Sequence, residues 1–530
     1  MKKRLLALLS ATVIAGVFVG CGSGSNNVNQ QDTSENAQTT GTQNSTEQSS
    51  AKTTMDTLDI FINMSWYPVS KFEGIIPDII KSKTGVDLNV TIATDSNQLG
   101  VMIGSGELPD LVFTDTELDR LSNPDICISY NELESKYGAN FSEAEPTRKT
   151  IATLLSADDN YYTMLQDYSP SSEWKNLKVG APGQACIYYR KDLLKQLGNP
   201  EIKSVDDLNT VLEQCKEKFP DMIPMGLGGV WKFNALENMM GATQSSYDPS
   251  TGEYRYITSA PKYKDFLKEC NYLARKGLVS PEQYANTNES DASAQAYNNG
   301  CVFWNAFLSY SDFLGLQAET SKITPNAEWG VLPYFGEDGM GTGKGWAGAF
   351  VSKNCKNPEA AARFLSYLNS KEGDHTAMWG REGTDYTLGE DGVPNFSDEF
   401  LAARADSTLL EKWNWRFNFG SSALTETYLN YAGVEADILK DFTTWGKNFK
   451  SYPEVGAAQP LSSSDEGVIY SKLEELRKNY EAKIIFTNSD EEFENAYQEL
   501  QDAAKKIGVD AYNEYMTGAI RTAKSTIEGK

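Results

Sequence analysis

Histidine is nearly missing. The 530 residues include one, His375. That excludes a multi-histidine metal centre and leaves a histidine-based triad a single candidate. His375 follows Glu372-Gly373-Asp374, just past an expected helix end, and reads as a surface residue. Cysteine is sparse, seven in all, with spacings that fit no zinc motif. Positive charge is short: 48 Lys and Arg stand against 73 Asp and Glu, a net −25. A chain this acidic is a poor partner for nucleic acid, where neutralised phosphates supply most of the affinity. Beyond the N-terminus no apolar run approaches the roughly 18 residues that mark a membrane span. No Gly-x-Ser-x-Gly elbow is present. The many carboxylates guarantee pairs somewhere, but none is marked out for glycoside hydrolysis.

What is present is ordinary globular material, 40% hydrophobic and 23% charged, long enough for two large lobes or three average domains. The chain opens with Met1-Lys2-Lys3-Arg4, and Leu5 to Val19 is an apolar run of 15 residues. This is the pattern of a secretory leader, too short for a comfortable span. Phe18-Val19-Gly20-Cys21 resembles a bacterial lipobox, which implies removal of residues 1–20 and a lipid on Cys21. In residues 22–55, 26 of 34 are Gly, Ser, Asn, Gln or Thr, too polar to offset the entropy of ordering. As a flexible tether they would reach roughly 30 Å. The expectation is a body anchored at the outer face of a membrane without spanning it.

From residue 56 strands and helices alternate. Thr57–Asn63, Asp87–Ile92 and Asp110–Thr114 read as strands, and Phe72–Lys83 as a helix. That order points to a parallel sheet with helices on both faces. Glu359–Asn369 and Val468–Tyr480 carry helical spacing, and the last fifty residues read as mostly helical, with Glu492–Ile507 amphipathic.

Several stretches resemble extracellular solute-binding proteins of ABC importers. They are Ala185–Gly198 (ACIYYRKDLLKQLG), Ser204–Leu208 (SVDDL), Tyr297–Phe303 (YNNGCVF) and Val351–Ala361 (VSKNCKNPEAA). The tail Lys505–Asp510 resembles the ending of the large lipoprotein subgroup that takes up oligosaccharides. The resemblance implies an α/β, two-lobe, periplasmic-binding-protein-like fold with a hinge, an interlobe cleft and a mostly helical C-terminal region. Lobe one is expected at 56–182 plus about 346–380, and lobe two at 183–345 plus about 381–530. The crossings fall near Ala181-Pro182-Gly183 and Trp346-Ala347-Gly348. Some relatives carry a calcium loop after the Ala185–Gly198 stretch. Asn199-Pro200-Glu201-Ile202-Lys203 lacks that ligand spacing, and Glu390-Asp391-Gly392 reads as a plain turn. No metal and no cofactor are expected.

Sugar sites need flat aromatic walls and a few forked polar groups. Trp66 and Asp115 follow strands at their carboxyl ends, where clefts of this kind lie. Trp231 follows a glycine-rich strand exit, Trp304 follows Gly300-Cys301, and Trp346 sits at the return crossing. Trp379 and Glu382 belong to a Trp-Gly-Arg-Glu-Gly loop resembling a family loop. Trp413 and Trp415 read as buried. Arg190 is either a carboxylate fork or a salt-bridge partner. Cys127, Cys186, Cys215, Cys270, Cys301 and Cys355 allow three bridges in 15 connectivities, yet Cys186 and Cys301 lie in expected strands. No essential disulfide is expected.

The reading is a monomeric, non-enzymatic binding protein that closes on an oligosaccharide and presents it to an ABC permease. The acidic balance and the aromatics favour a neutral sugar. The competing readings are a peptide or other polar-solute binder, and a surface glycan-degrading enzyme or adhesin.

Overall fold

In a computed structural model, the described residues are 55–67, 70–168, 170, 185–298, 300–336, 339–341, 343–405, 411–414, 419–447 and 449–529. The leader, Cys21, the tether, the crossing at 181–183 and Trp415 lie outside them.

The first sheet is built on strand Asp56–Ile62, which pairs in parallel with Val86–Ile92 and Leu111–Thr114. Gly348–Ser352 then runs antiparallel to Leu111–Thr114 and to the short Cys127–Ile128. The three parallel strands are those the alternating pattern marks. The antiparallel fourth is the returning chain. Period-two alternation sorts the side chains. Leu58, Ile60 and Ile62 face one cluster with Ile76, Ile80 and Phe364, while Phe61 faces the other with Leu99, Ile103 and Val112.

The first helix is Ile75–Thr84, not Phe72–Lys83. Gly74, at φ +120°, turns the chain in at its N-cap, and a β-carbon there would meet Lys412 O at 3.0 Å. The Asn414 amide donates to the carbonyls of Lys71 and Glu73, both at 2.8 Å. Phe72 is thereby free to pack edge-on against Phe364, 6.2 Å away. Helix Pro358–Leu368 begins where Asn357 caps Ala360 N–H with proline at the first position.

The second sheet centres on Cys301–Phe307, flanked by Ile223–Leu227 in parallel and Ala185–Arg190 antiparallel. Trp329–Val331 adds an antiparallel edge. Helices Asp465–Ile485, Asp490–Ile507 and Val509–Ile527 close the chain. Phe493, Leu500, Met516 and Ile520 join the cluster that fills the second sheet. Tyr386, Phe400, Trp413 and Phe419 pack with the first sheet's core instead. Glu390-Asp391-Gly392 is the turn of a hairpin joining Tyr386–Leu388 to Pro394–Phe396. No helix among the described residues is long and apolar enough to cross a membrane. The six described cysteines are free and buried. Burial pushes the Cys215 and Cys355 thiols up, to about 12 and about 11.

The chain returns to the first sheet through a narrow passage. Gln166 N–H donates to Ala347 O at 2.8 Å, and Trp346 N–H to Gln166 O at 2.9 Å. Gly345, at φ +96°, passes so near that a β-carbon would sit 2.7 Å from Leu165 Cβ. Arg148 is buried behind this passage. Its Nε donates to Leu165 O at 2.9 Å and its Nη1 to Gly420 O at 3.2 Å. The charges facing it are Asp374, Asp167 and Glu145. Burial, followed by the neighbouring Glu426 carboxyl, raises Asp167 well above the carboxylate range. Asp374 accepts from Thr425 Oγ1 at 2.7 Å, and burial outweighs that bond to raise it to about 6.

Asp374 thus holds its proton more tightly folded than unfolded. Its contribution to stability is greatest in acid and is lost as pH rises from about 4 to about 6. Asp374→Asn is expected to gain on the wild type by roughly 2–3 kcal/mol between pH 4 and 7. Urea unfolding at both pH values checks this; a pH-independent difference between the two proteins would refute it.

Candidate functional site

The carboxyl ends of Asp56–Ile62 and Leu111–Thr114 present an aromatic wall. After the first strand the chain turns, with Tyr67 N–H on Met64 O, and projects Trp66, which is 54% exposed. Its ring stacks on Trp346, with centroids 5.7 Å apart and planes at 27°. Tyr67 and Phe113 support the pair from behind; Phe113 meets Trp346 edge-on at 6.3 Å and Phe419 at 4.6 Å. The Trp346 indole N–H donates to Asp115 Oδ2 at 2.9 Å. That bond fixes the ring and leaves the second carboxylate oxygen free of it. Asn63 holds the adjoining loop by donating to Thr114 and Thr116 hydroxyls at 3.1 and 3.0 Å. Trp66, Asp115 and Trp346, picked from separate parts of the chain, therefore stand together.

The carboxyl edge of the second sheet carries a smaller pair. Trp231, half-buried, lies 4.9 Å from Phe307 at an interplanar angle of 34°. The glycines before Trp231 serve the sheet itself. A β-carbon on Gly226 would strike Cys301 and Trp304, and one on Gly228 would sit 2.6 Å from Asn305 O. Asn305 is buried beside them, and neither amide atom has a hydrogen-bond partner among the described residues.

The other expected contacts are placed elsewhere. Trp304 is 4% exposed and packs over Gly226, so it is core. Arg190 is 3% exposed and forks onto Asp192 with two bonds of 2.7 Å. It ends a strand whose other end, Ala185, pairs with Phe307. Five strand residues, about 16 Å, therefore separate Arg190 from the aromatic edge. Trp379 is 2% exposed, with its indole on Thr425 O at 3.0 Å, inside a cluster of Tyr386, Phe396 and Tyr428. Arg381 pairs with Asp385, not with Glu382. Glu382 is exposed at the rim of a separate pocket of about 520 Å³ shared with Arg381 and His375. His375 is not a free surface side chain: it is half-buried and stacked on Trp379 at 4.2 Å, and burial lowers it to about 4. No cluster of three or more His, Cys, Asp or Glu among the described residues is placed to hold a metal ion. Phe307, Phe419 and Asn63 belong to the aromatic edges and were not singled out from sequence. Phe307 ends a strand beside Ala185, the one positional signal available.

The first sheet thus carries an exposed tryptophan stack at its carboxyl edge, and the second sheet carries an aromatic pair of its own. The chain belongs to the family described as bacterial extracellular solute-binding protein, matched over residues 67–375. Among curated relatives, Lipoprotein LipO of Bacillus subtilis strain 168 is 24% identical over 344 residues, 59% of this chain and 64% of its own. The fructooligosaccharide ABC transporter substrate-binding protein FusA of Streptococcus pneumoniae is 25% identical over 235 residues, 41% of this chain and 43% of its own. The chain thus spans under two thirds of the length of either curated relative. Among solved structures, alginate-binding protein AlgQ2 without calcium ion superposes with a TM-score of 0.69 at 19% identity, covering 88% of this chain and 98% of that one. FusA in complex with kestose superposes with a TM-score of 0.63 at 17% identity, covering 89% and 100%. The fold is the two-lobe periplasmic-binding-protein-like fold of those structures.

Proposed function

We propose that the protein captures an oligosaccharide by hinge closure and delivers it to an ABC transporter permease. The observation that carries the reading is the Trp66–Trp346 stack, exposed at a strand-end edge and fixed by Asp115. Flat rings with a carboxylate beside them suit the apolar faces and hydroxyl rims of a sugar. The names of FusA and of LipO support carbohydrate import and lipid attachment respectively.

In this proposal the first lobe is the first sheet with the segment near 346–429, and the second holds 185–336 and the chain from 431 onward. Ligand lies between the two aromatic edges, and closure removes water from both. Trp66, Asp115, Trp346 and Trp231 are the contacts proposed. A lipid on Cys21 anchors a monomeric body at the outer membrane face. The chemistry is binding alone, with no covalent step.

Isothermal titration of the protein against a panel of gluco-, xylo-, manno- and galacto-oligosaccharides, uronides and a peptide pool tests this. Micromolar binding of one sugar class with no product after overnight incubation is the expected result. Binding of the peptide pool alone would overturn the sugar claim, and release of shorter sugars would overturn the absence of catalysis.

A further inference from the structure

The return crossing carries a half-buried cation that makes no direct ion pair among the described residues. Lys344 lies in Gly343-Lys344-Gly345-Trp346, two residues before the tryptophan of the aromatic stack. It is half-buried, and among the described residues its ammonium makes no hydrogen bond and no ion pair. Burial pulls it below the usual lysine value, and among the described residues the carboxylate whose charge reaches it is Asp119. Asp119 is already engaged, accepting Ser462 N–H at 2.6 Å.

Two observations place the loop that carries Lys344. Its neighbour Trp346 is tied to Asp115, and the carboxylate whose charge reaches the lysine, Asp119, lies four residues further on, in the short helix Leu118–Leu121. Both follow strand Leu111–Thr114, so Lys344 stands at the carboxyl edge where Trp66 and Trp346 stack. Glycines at φ +56° and +96° flank it, and both positions are crowded. A β-carbon at 343 would strike the Ser451 side chain, and one at 345 would meet Leu165. The loop therefore holds one backbone course, with the lysine at its apex.

A half-buried ammonium without a direct ion-pair partner is costly, and a protein with 73 acidic residues had many ways to supply one. Leaving it unpaired suits a site whose anion arrives with the ligand. We infer that Lys344 receives a carboxylate of the bound sugar, so that the solute is an acidic oligosaccharide bearing uronate units. This rests on the solute-binding reading and replaces the neutral sugar that net charge alone favours. Net charge reports the whole surface, whereas Lys344 reports one edge of it. Asp115 accepts the Trp346 indole N–H through Oδ2, and its other oxygen is placed to accept from sugar hydroxyls rather than to meet a carboxylate.

The test is titration of the protein with oligomers of galacturonate, of mannuronate and of glucuronate-bearing xylose. Each is measured beside its carboxyl-reduced counterpart. At least one uronide is expected to bind about ten-fold tighter than its reduced form. That preference should shrink as salt is raised from about 50 to about 500 mM. Lys344→Met is expected to bring uronide and reduced sugar within about three-fold of each other. It should leave neutral binding in place, and should keep or raise the melting temperature, since the variant removes a desolvated charge. Reduced sugars binding as tightly as uronides would overturn the inference, as would a preference that survives Lys344→Met. In both cases the solute-binding reading stands. Failure of every sugar, acidic and neutral, would overturn both.

Discussion

Arg148→Met is expected to destabilise the protein by about 3–5 kcal/mol, the cost of breaking a buried charge network from one side. The guanidinium satisfies the Leu165 and Gly420 carbonyls and faces Asp374 and Asp167. Methionine fills much of the volume but leaves those carbonyls without donors and the acids without a cation. Lysine would restore charge without the planar fork, so Arg148→Lys should recover less than half of the loss. The partners are coupled. The change made by Asp374→Asn should therefore be more favourable in the Arg148→Met background than in the wild type. Urea unfolding of the four proteins at pH 7 decides it. Strict additivity, or a loss below about 1 kcal/mol for Arg148→Met, would show that the network carries no such load.

Trp346→Ala should weaken sugar binding by about 2–3 kcal/mol, roughly 30- to 150-fold. Three things go with the indole: the partner of Trp66, the donor that holds Asp115, and an apolar face at the crossing. Trp346→Phe keeps a ring but not the N–H, so the difference between Phe and Ala isolates stacking from orientation of Asp115. Trp379→Phe is the control, a comparable ring loss inside the first core. It should lower stability and leave affinity within about three-fold of wild type. Titration calorimetry on the variants gives the comparison. Equal affinity for Trp346→Ala and wild type would move the ligand away from the first sheet's edge.

The strands were legible wherever alternation was strict. Leu58, Ile60 and Ile62 are apolar on one face, and the chain can bury them in one way. Trp66, Asp115 and Trp346 were legible by position, since each flanks a strand end. Trp304 failed for a physical reason. It lies within a strand, and which way its ring turns depends on Gly226, 78 residues earlier and a neighbour only after the sheet pairs. Arg190 took the second of its two readings, a salt bridge to Asp192, and strand direction decides which. Its strand runs antiparallel to the central one, so the residue that ends it lies at the far edge. The late start of the first helix depends on Asn414, more than three hundred residues away. No local propensity encodes a contact at that separation. Lys344 carried no sequence signal, because what distinguishes it is the lack of a direct ion-pair partner among the described residues in three dimensions.

The free, buried cysteines bear on how such a protein comes to exist outside the cell. Disulfide exchange needs an accessible thiolate, and here packing keeps every described sulfur as a protonated thiol away from solvent. A newly exported chain has no such shelter. Before folding, the six cysteines that end buried would be open to whatever oxidant the surroundings hold. Collapse then competes with cross-linking, because burial is what removes those thiols from exchange. Protection here is a property of the finished structure, and none of it is available on the way there.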